Sequence, residues 1–580
     1  MASEYTIRIG GAAGQGMQFI GAVLAKILSR TGYHVFTHQD YMSRIRGGHN
    51  FYQIRLADHP VAAPRNKIDI LLALNDQTIE IHAKDLNQGG LVLYDPASVK
   101  QEYTRPHFLP VPFKKITTDE LDLDPVMATS VAVGAVLGVL GENDIGEFAD
   151  IVPAFIPIAS DGVIASQCSA AQAGLDFVQK KADAEKKLAS IKVQRPQNNR
   201  ALINGNHAIA LGALLSGCKF YSAYPMTPAT SIMLYLSSKA KDYGLIVEQA
   251  EDEIAAINMA LGASFGGVRS MTGTSGGGFA LMTEGLSLAG ITETPVVIAE
   301  VQRPGPATGL PTRTEQGDLF FVLFGGHGEF VRVVFTPGTP EQAMLLTNKA
   351  FYLSEKYQIP VIVQSDQYLA DSQWTFDELN RGLLQYENFR LQELELSKIK
   401  SLYRRYAYTE NGISPLAIPG ASEHLVVVDS DEHDQDGHII EDAETRRLMV
   451  EKRFHKRLPL IKQEIATPSF HGHEQPEILL VGYGSTFGVM REAVDNLSVR
   501  QKIAMLHFSE VYPFPLSTTF DYVELLRSAK QTFCVENNAS GQFAQLLRME
   551  TGFECGVRIN KFDGRPFDID NLMGEINGYL

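Results

Sequence analysis

The sequence predicts an α/β protein of several domains, and three observations carry that expectation. At 580 residues the chain exceeds what one hydrophobic core usually organises. With 44% hydrophobic and 20% charged residues it has the balance of an ordinary globular protein, neither disordered nor fibrous. Short apolar runs such as Val296-Val-Ile-Ala and Pro360-Val-Ile-Val-Gln alternate with helical patterns, as a parallel sheet with helical crossovers does.

The first block, residues 1–180, opens on the strand-like Ile7-Arg-Ile and the glycine-rich Gly10-Gly-Ala-Ala-Gly-Gln-Gly16. A helix is expected from Phe19 to Ile27. Such glycines let backbone N–H groups approach a phosphate, or they serve only tight strand–helix packing. The spacing is not the dinucleotide fingerprint, so both readings stay open. Further strands are expected at Ile68 to Leu74 and Leu91 to Tyr94, and a helix from Val131 to Leu140. The charged stretch Lys180-Lys-Ala-Asp-Ala-Glu-Lys-Lys reads as a solvated helix running into a Pro-containing linker with Gln194-Arg-Pro-Gln, and residues 181–199 mark a domain boundary. The block 200–372 carries the clearest strand–helix alternation, 373–474 is polar and irregular, and 475–580 reads as a compact α/β domain beginning Ile478-Leu-Leu-Val-Gly.

A formal charge of −16 argues against a nucleic-acid partner, which such a surface would repel. The four cysteines, Cys168, Cys218, Cys534 and Cys555, form no C-x-x-C pair, so no disulfide framework, zinc site or cluster is expected, and all four read as buried thiols. No apolar stretch approaches the ~20 residues that span a bilayer, and no signal peptide is visible; a cytoplasmic location is expected.

Four motifs sit where apolar strands give way to loops or helix starts, the place where α/β sheets put ligand sites. They are Tyr224-Pro-Met-Thr-Pro, Glu251-Asp-Glu, Thr272-Gly-Thr-Ser-Gly-Gly-Gly278 and Gln302-Arg-Pro-Gly-Pro-Ala-Thr-Gly-Leu-Pro-Thr-Arg313. Thr227, between prolines, has its hydroxyl on a stiff backbone, suited to a turn or to a ligand contact. The acidic triplet suits a helix N-terminus or a catalytic carboxyl. Arg303, in a Pro/Gly loop after an apolar strand, suits an anion site better than a surface ion pair. The 272–278 turn lacks the lysine of a phosphate-binding loop, which argues against nucleotide hydrolysis. Arg44, Arg46, His49 and Asn50 offer anion binding or interface ion pairs. The acidic run 429–438, with His433 and His438, reads as a solvated loop, with divalent-ion binding as the rarer alternative.

Together these motifs resemble the α-subunit of the 2-oxoacid:ferredoxin oxidoreductase family, in the form with a γ-type domain fused ahead of it. The resemblance covers nearly the whole chain. It rests on Arg46-Gly-Gly-His-Asn50, on Tyr224-Pro-Met-Thr-Pro-Ala-Thr230 and on the run Gln302 to Arg313. Met226, Ala229 and Gly277 stand where the family usually has Ile, Ser and often Pro, and none of these departures removes a charged group.

The resemblance implies a γ-type domain at 1–180, a thiamine-pyrimidine-binding domain at 200–372 and a transketolase-like domain at 475–580. Tyr224, Pro225, Glu251, Thr274 and Ser275 would hold the aminopyrimidine end of thiamine diphosphate, with Glu251 catalytic at the ring nitrogen. Thr227, Arg303 and Thr312 would bind the 2-oxoacid, with Arg313 in reserve. Arg44, Arg46, His49 and Asn50 would approach the active site or coenzyme A.

The chain lacks the Gly-Asp-Gly and downstream Asn that usually hold diphosphate and magnesium, and it lacks a cluster-binding cysteine set. The resemblance therefore implies a β-subunit carrying Mg2+, the diphosphate site and a 4Fe–4S cluster, with ferredoxin as acceptor and a dimer of αβ heterodimers as the assembly. The implied reaction is reversible, coenzyme A-dependent oxidative decarboxylation, favoured here for 2-oxoglutarate. Pyruvate, branched-chain or aryl 2-oxoacids are the alternatives within the class. Cluster-free thiamine chemistry and a non-catalytic coenzyme A- or nucleotide-binding module are the alternatives outside it.

Overall fold

The computed structural model describes residues 4–43, 47–101, 103, 107–156, 159–182, 200–376 and 380–580. Arg44, Arg46 and most of the expected linker lie outside the described residues. The chain divides into two compact units, Met1–Ile203 with Ser372–Leu379 and Asp568–Asn571, and Asn204–Asp371 with Asn380–Phe567 and Leu572–Leu580.

In the first unit the strands are β1 (Glu4–Ala13), β2 (His34–Asp40), β3 (Gly47–Ala57), β4 (Ile68–Ala73), β5 (Leu86–Tyr94), β6 (Phe108–Pro110) and β7 (Ala201–Asn204). The second unit holds β8 (Phe220–Ala223), β9 (Ile246–Gln249), β10 (Ser270–Thr274), β11 (Val296–Gln302), β12 (Val333–Phe335) and β13 (Pro360–Asp366). The chain then returns to the first unit for β14 (Gln373–Phe376). The rest of the second unit holds β15 (Ser469–Gly472), β16 (Ile478–Tyr483), β17 (Ile503–Phe508), β18 (Glu510–Tyr512), β19 (Gln531–Glu536) and β20 (Val557–Asn560).

The first sheet runs β6-β5-β4-β1-β3-β2-β14-β7 and mixes parallel with antiparallel pairs. Gly10 and Gly11 lie inside β1 rather than in the turn that follows it. A Cβ at Gly10 would run into Thr78, and one at Gly11 would crowd Gln15 and Leu74. These two glycines serve close packing, while Gly14 and Gly16, with φ of 91° and 81°, make the turn into the helix Met17–Arg30. The helices Ala128–Leu140 and Asp161–Ala182 meet through Gly134 and Gly174, where any side chain would overlap the other helix's backbone.

In the second unit the order is β18-β12-β13-β11-β10-β8-β9, parallel except for the edge strand β18. The third sheet runs β15-β17-β16-β19-β20. One apolar cluster joins the two, from Ile298 and Ile362 through Phe279 and Leu323 to Val481, Phe508 and Phe543. Burial of this continuous core is the main favourable term for the unit.

The region expected to be polar and irregular is anchored by charge. Glu293, fully buried and at φ 52°, receives Lys452 Nζ at 2.7 Å and the Arg457 guanidinium, while Arg405 Nη2 donates to its carbonyl at 2.7 Å. A wide i→i+5 turn over Glu451–Lys456 places Lys452 and Arg457 over the same carboxylate, which residues five apart in a regular helix would not share. His433 corrects the solvated-loop expectation: it is fully buried, its ring 3.9 Å from that of Tyr406. Among the described residues no group of three His, Cys, Asp or Glu side chains could hold a metal ion. Cys218, Cys534 and Cys555 are buried thiols, and Cys168 is half-buried. Among the described residues no helix is long and apolar enough to cross a membrane.

Candidate active site

The carboxyl ends of β8, β9, β10 and β11 lie side by side in the parallel sheet and feed the four motif loops. After β8 come Tyr224, exposed, and Pro225, Met226 and Thr227, half-buried. Asn206, fully buried, donates to Pro228 O at 2.8 Å and Ser231 Oγ at 2.7 Å and so holds the loop from beneath. The run Gln302 to Arg313 leaves β11 next but one to β8. Arg303 Nη1 donates to Thr227 O at 2.7 Å, joining the two most distinctive motifs directly. Gly309, at φ 54°, folds this loop back so tightly that a Cβ would overlap Pro304 O.

Arg303 has no carboxylate partner among the described residues, and partial burial lowers its pKa. A half-buried guanidinium whose one hydrogen bond goes to a neutral carbonyl retains free donors for a planar anion. That favours a site residue over a surface ion pair. Arg303→Lys is expected to lower kcat/KM for a 2-oxoacid about 10- to 100-fold, since a charge-assisted fork is replaced by a point charge. Steady-state kinetics on the purified complex checks this.

The acidic triplet divides its labour. Asp252 is the N-cap of the helix Glu253–Phe265, its side chain accepting from Ala255 N at 2.8 Å. Glu253 is buried against Thr274 and Gly278, with Oε1 unpaired, and burial raises its pKa. Glu251 stands outside the helix, exposed, and takes no part in the cap. The capping role is thus filled by its neighbour, which leaves Glu251 open to a ligand.

Thr272 to Thr274 belong to β10 rather than to a turn, and the helix Gly276–Ile291 starts immediately after Ser275. Thr274 and Ser275 are both fully buried; Thr274 Oγ1 lies 3.9 Å from Met226 Sδ, and Ser275 Oγ has no partner. Thr312 is 9% exposed, at the inner end of its loop.

Beneath the loops lies an acidic layer that the motifs did not announce. Burial holds the Asp318 carboxyl up at about 6, and Glu300 on β11 is pushed well above the ordinary range by burial and by Asp318. Gln364 stands beside Glu300 in register, and burial disfavours the charged form of this carboxyl. Gln302 accepts from Asp318 N at 2.9 Å and donates to Ser365 O at 3.2 Å. Gln316 reaches Tyr483 O at 3.0 Å and accepts from Asn537 N at 2.9 Å, tying the loop to the third sheet. The signal available in the sequence was the polar run Thr314-Glu-Gln-Gly-Asp directly after the motif.

In the first unit His49 Nε2 lies 2.8 Å from His82 Nε2, and His82 Nδ1 lies 3.0 Å from Arg8 Nη1. Burial and the Arg8 charge push His82 down to about 3, so it stays neutral. Asn50 is buried, and its Oδ1 accepts from Met42 N at 2.8 Å.

Residues 211–452 match the family model described as pyruvate flavodoxin/ferredoxin oxidoreductase, thiamine diP-bdg, and residues 6–177 match pyruvate ferredoxin/flavodoxin oxidoreductase. A 2-oxoacid:ferredoxin oxidoreductase subunit alpha from a Sulfolobus species is 31% identical over 97% of this chain and 95% of its own length. The chain belongs to the 2-oxoacid:ferredoxin oxidoreductase alpha-subunit family. The KorA subunit of 2-oxoglutarate oxidoreductase from Mycobacterium tuberculosis is 28% identical over 93% of this alpha subunit and 86% of its own length. Among solved structures, the 2-oxoglutarate:ferredoxin oxidoreductase from Magnetococcus marinus, with 2-oxoglutarate, coenzyme A and succinyl-CoA bound, superposes with a TM-score of 0.89. It is 30% identical and covers 99% of each chain.

The residues present fit the aminopyrimidine end of thiamine diphosphate. An exposed carboxyl, Glu251, stands free of its helix cap; Gly276 and Gly278 are packed against Asp318 and against Thr274 and Glu253, while Gly277 alone faces open space at the helix start beside the unpaired Ser275.

Proposed function

We propose that this alpha subunit oxidatively decarboxylates 2-oxoglutarate to succinyl-CoA and CO2, passing two electrons to ferredoxin, in concert with a β-subunit. The observation that carries the reading is the Arg303–Thr227 link, which puts an unpaired guanidinium fork between the two motif loops, beside the β9 loop that carries Glu251. Bound thiamine diphosphate supplies the nucleophilic carbon and the electron sink for decarboxylation.

The residues of this chain bind and orient. Glu251 holds the proton at the aminopyrimidine ring nitrogen, where a carboxyl outside the helix cap is free to share it. Arg303 takes the planar 2-oxocarboxylate through charge-assisted bonds, and the hydroxyls of Thr227 and Thr312 fix its carbonyl side. Asn206 and Gln316 hold the two loops at that spacing. Tyr224 and Pro225 form the outer wall; Thr274 and Ser275 support the pocket floor.

The diphosphate, Mg2+ and a 4Fe–4S cluster belong on the β-subunit, in a dimer of αβ heterodimers placed in the cytoplasm. Arg44, Arg46, His49 and Asn50 are proposed contacts for coenzyme A, and Asn50 Oδ1 accepts from Met42 N. The preference for 2-oxoglutarate rests on the KorA relatives and the Magnetococcus structure. Co-expression with the β-subunit under anoxic conditions, followed by kcat/KM for a panel of 2-oxoacids, tests it. 2-Oxoglutarate is expected to lead; a lead for pyruvate, branched-chain or aryl acids would move the substrate assignment and keep the chemistry.

A further inference from the structure

A second polar pocket lies at the amino end of β11, the opposite end of that strand from the Gln302 loop. Ser264, Phe265, Thr294, Arg390 and Arg405 line it, closed by Leu416 and Ala417. Ser264 is 4% exposed and its Oγ has no hydrogen-bond partner. Arg390 and Arg405 are 5% and 3% exposed, so two guanidinium groups are taken out of water at one small pocket.

Their charges are matched only in part, although Arg390 Nη2 also donates to the carbonyls of Ser264 at 3.5 Å and Val268 at 3.4 Å. Arg390 shares the single buried carboxylate of Glu355 with Arg269. Arg405 donates only to neutral acceptors, Gln358 Oε1 at 2.8 Å and the carbonyls of Glu293 at 2.7 Å and Thr292 at 3.4 Å. The nearby Glu293 carboxylate is already taken by Lys452 and Arg457. Among the described residues five cations, Arg269, Arg390, Arg405, Lys452 and Arg457, therefore share the surroundings of two carboxylates. Burial pushes Lys452 down to about 7, which relieves one charge in part, yet an excess of positive charge remains around the pocket. Buried unpaired charge is costly, as is a buried hydroxyl without a partner, and one ligand would resolve both.

We propose that this pocket binds one small monovalent anion of chloride size, held by the Ser264 hydroxyl and the Arg390 and Arg405 guanidinium groups. The room is that of a single small body. Bound there, the anion pins the 390–417 stretch to the edge of the sheet whose other end carries the motif loops. The proposal is independent of the catalytic reading.

Crystals of the full-length chain grown in sodium bromide are expected to show an anomalous bromine peak within hydrogen-bond distance of Ser264 Oγ and both guanidinium groups. At constant ionic strength, exchanging gluconate for chloride should raise the melting temperature saturably. Ser264→Ala should shift the half-saturating chloride concentration upward about tenfold, the loss of one hydrogen bond to a charged group. A pocket holding only water, or a chloride response unaltered by Ser264→Ala, would overturn the proposal. Bromide density without any melting response would mean binding at crystal concentration only and would equally overturn it.

Discussion

Glu251→Gln is expected to lower kcat about 10²- to 10⁴-fold while leaving assembly and melting temperature unchanged, because general acid–base groups contribute on that scale. The structural half of this expectation comes from the division of the triplet. The helix cap is made by Asp252 to Ala255 N, so neutralising the exposed Glu251 removes no hydrogen bond of the fold. Asp252→Ala provides the contrast, costing about 1 kcal/mol of stability through the lost cap. A Glu251→Gln complex that retains full turnover would remove this residue from the reaction and return the triplet to a purely structural role.

The largest effect on stability is expected at Glu293. Replacing it by Ala leaves Lys452 and Arg457 buried without their carboxylate, which should cost about 3–5 kcal/mol. The pH dependence follows from the same cluster. Burial opposes the Glu293 charge, but Arg457, Lys452 and Arg405 outweigh it and hold the carboxyl well below the usual range. A depressed carboxyl contributes stability that is fully present above its unfolded pKa of 4.5 and is lost as the pH falls below it toward the folded value. Lys452 acts in another window. Burial lowers it from 10.5 to about 7, so between those values the unfolded chain binds the extra proton and stability rises with pH. Lys452→Met should flatten that rise, and apparent melting temperatures from pH 6 to 10 would show it. Glu293→Ala melting like the wild type would contradict the cluster's role.

The parts of this molecule that were legible in its sequence are those fixed by short-range pattern. Strand runs such as Val296 to Ala299 and Ile478 to Val481 fall in central strands because continuous apolar stretches bounded by glycine and proline suit a sheet covered on both faces. The motif loops follow, since parallel strands put their carboxyl ends on one edge. Contacts between distant residues were not legible. Glu293 meets Lys452 and Arg457 across about 160 positions. The return of Gln373–Phe376 to pair with β2, where Trp374 stands opposite Phe36, likewise leaves no local periodic trace. His433 looked solvated because its neighbours are acidic, yet the ring of Tyr406 covers it. The upward shift of the Glu300 carboxyl beneath the motif loops has the same origin: burial, not neighbouring sequence, is its main cause.

The most direct test of the central claim is reduction of ferredoxin by the anoxic, thiamine-loaded, iron-replete complex of this chain with its β-subunit. Rates would be read with 2-oxoglutarate and coenzyme A together and with each omitted. Reduction that requires both, and that collapses in Glu251→Gln, is the result expected; no reduction with any 2-oxoacid would contradict the account.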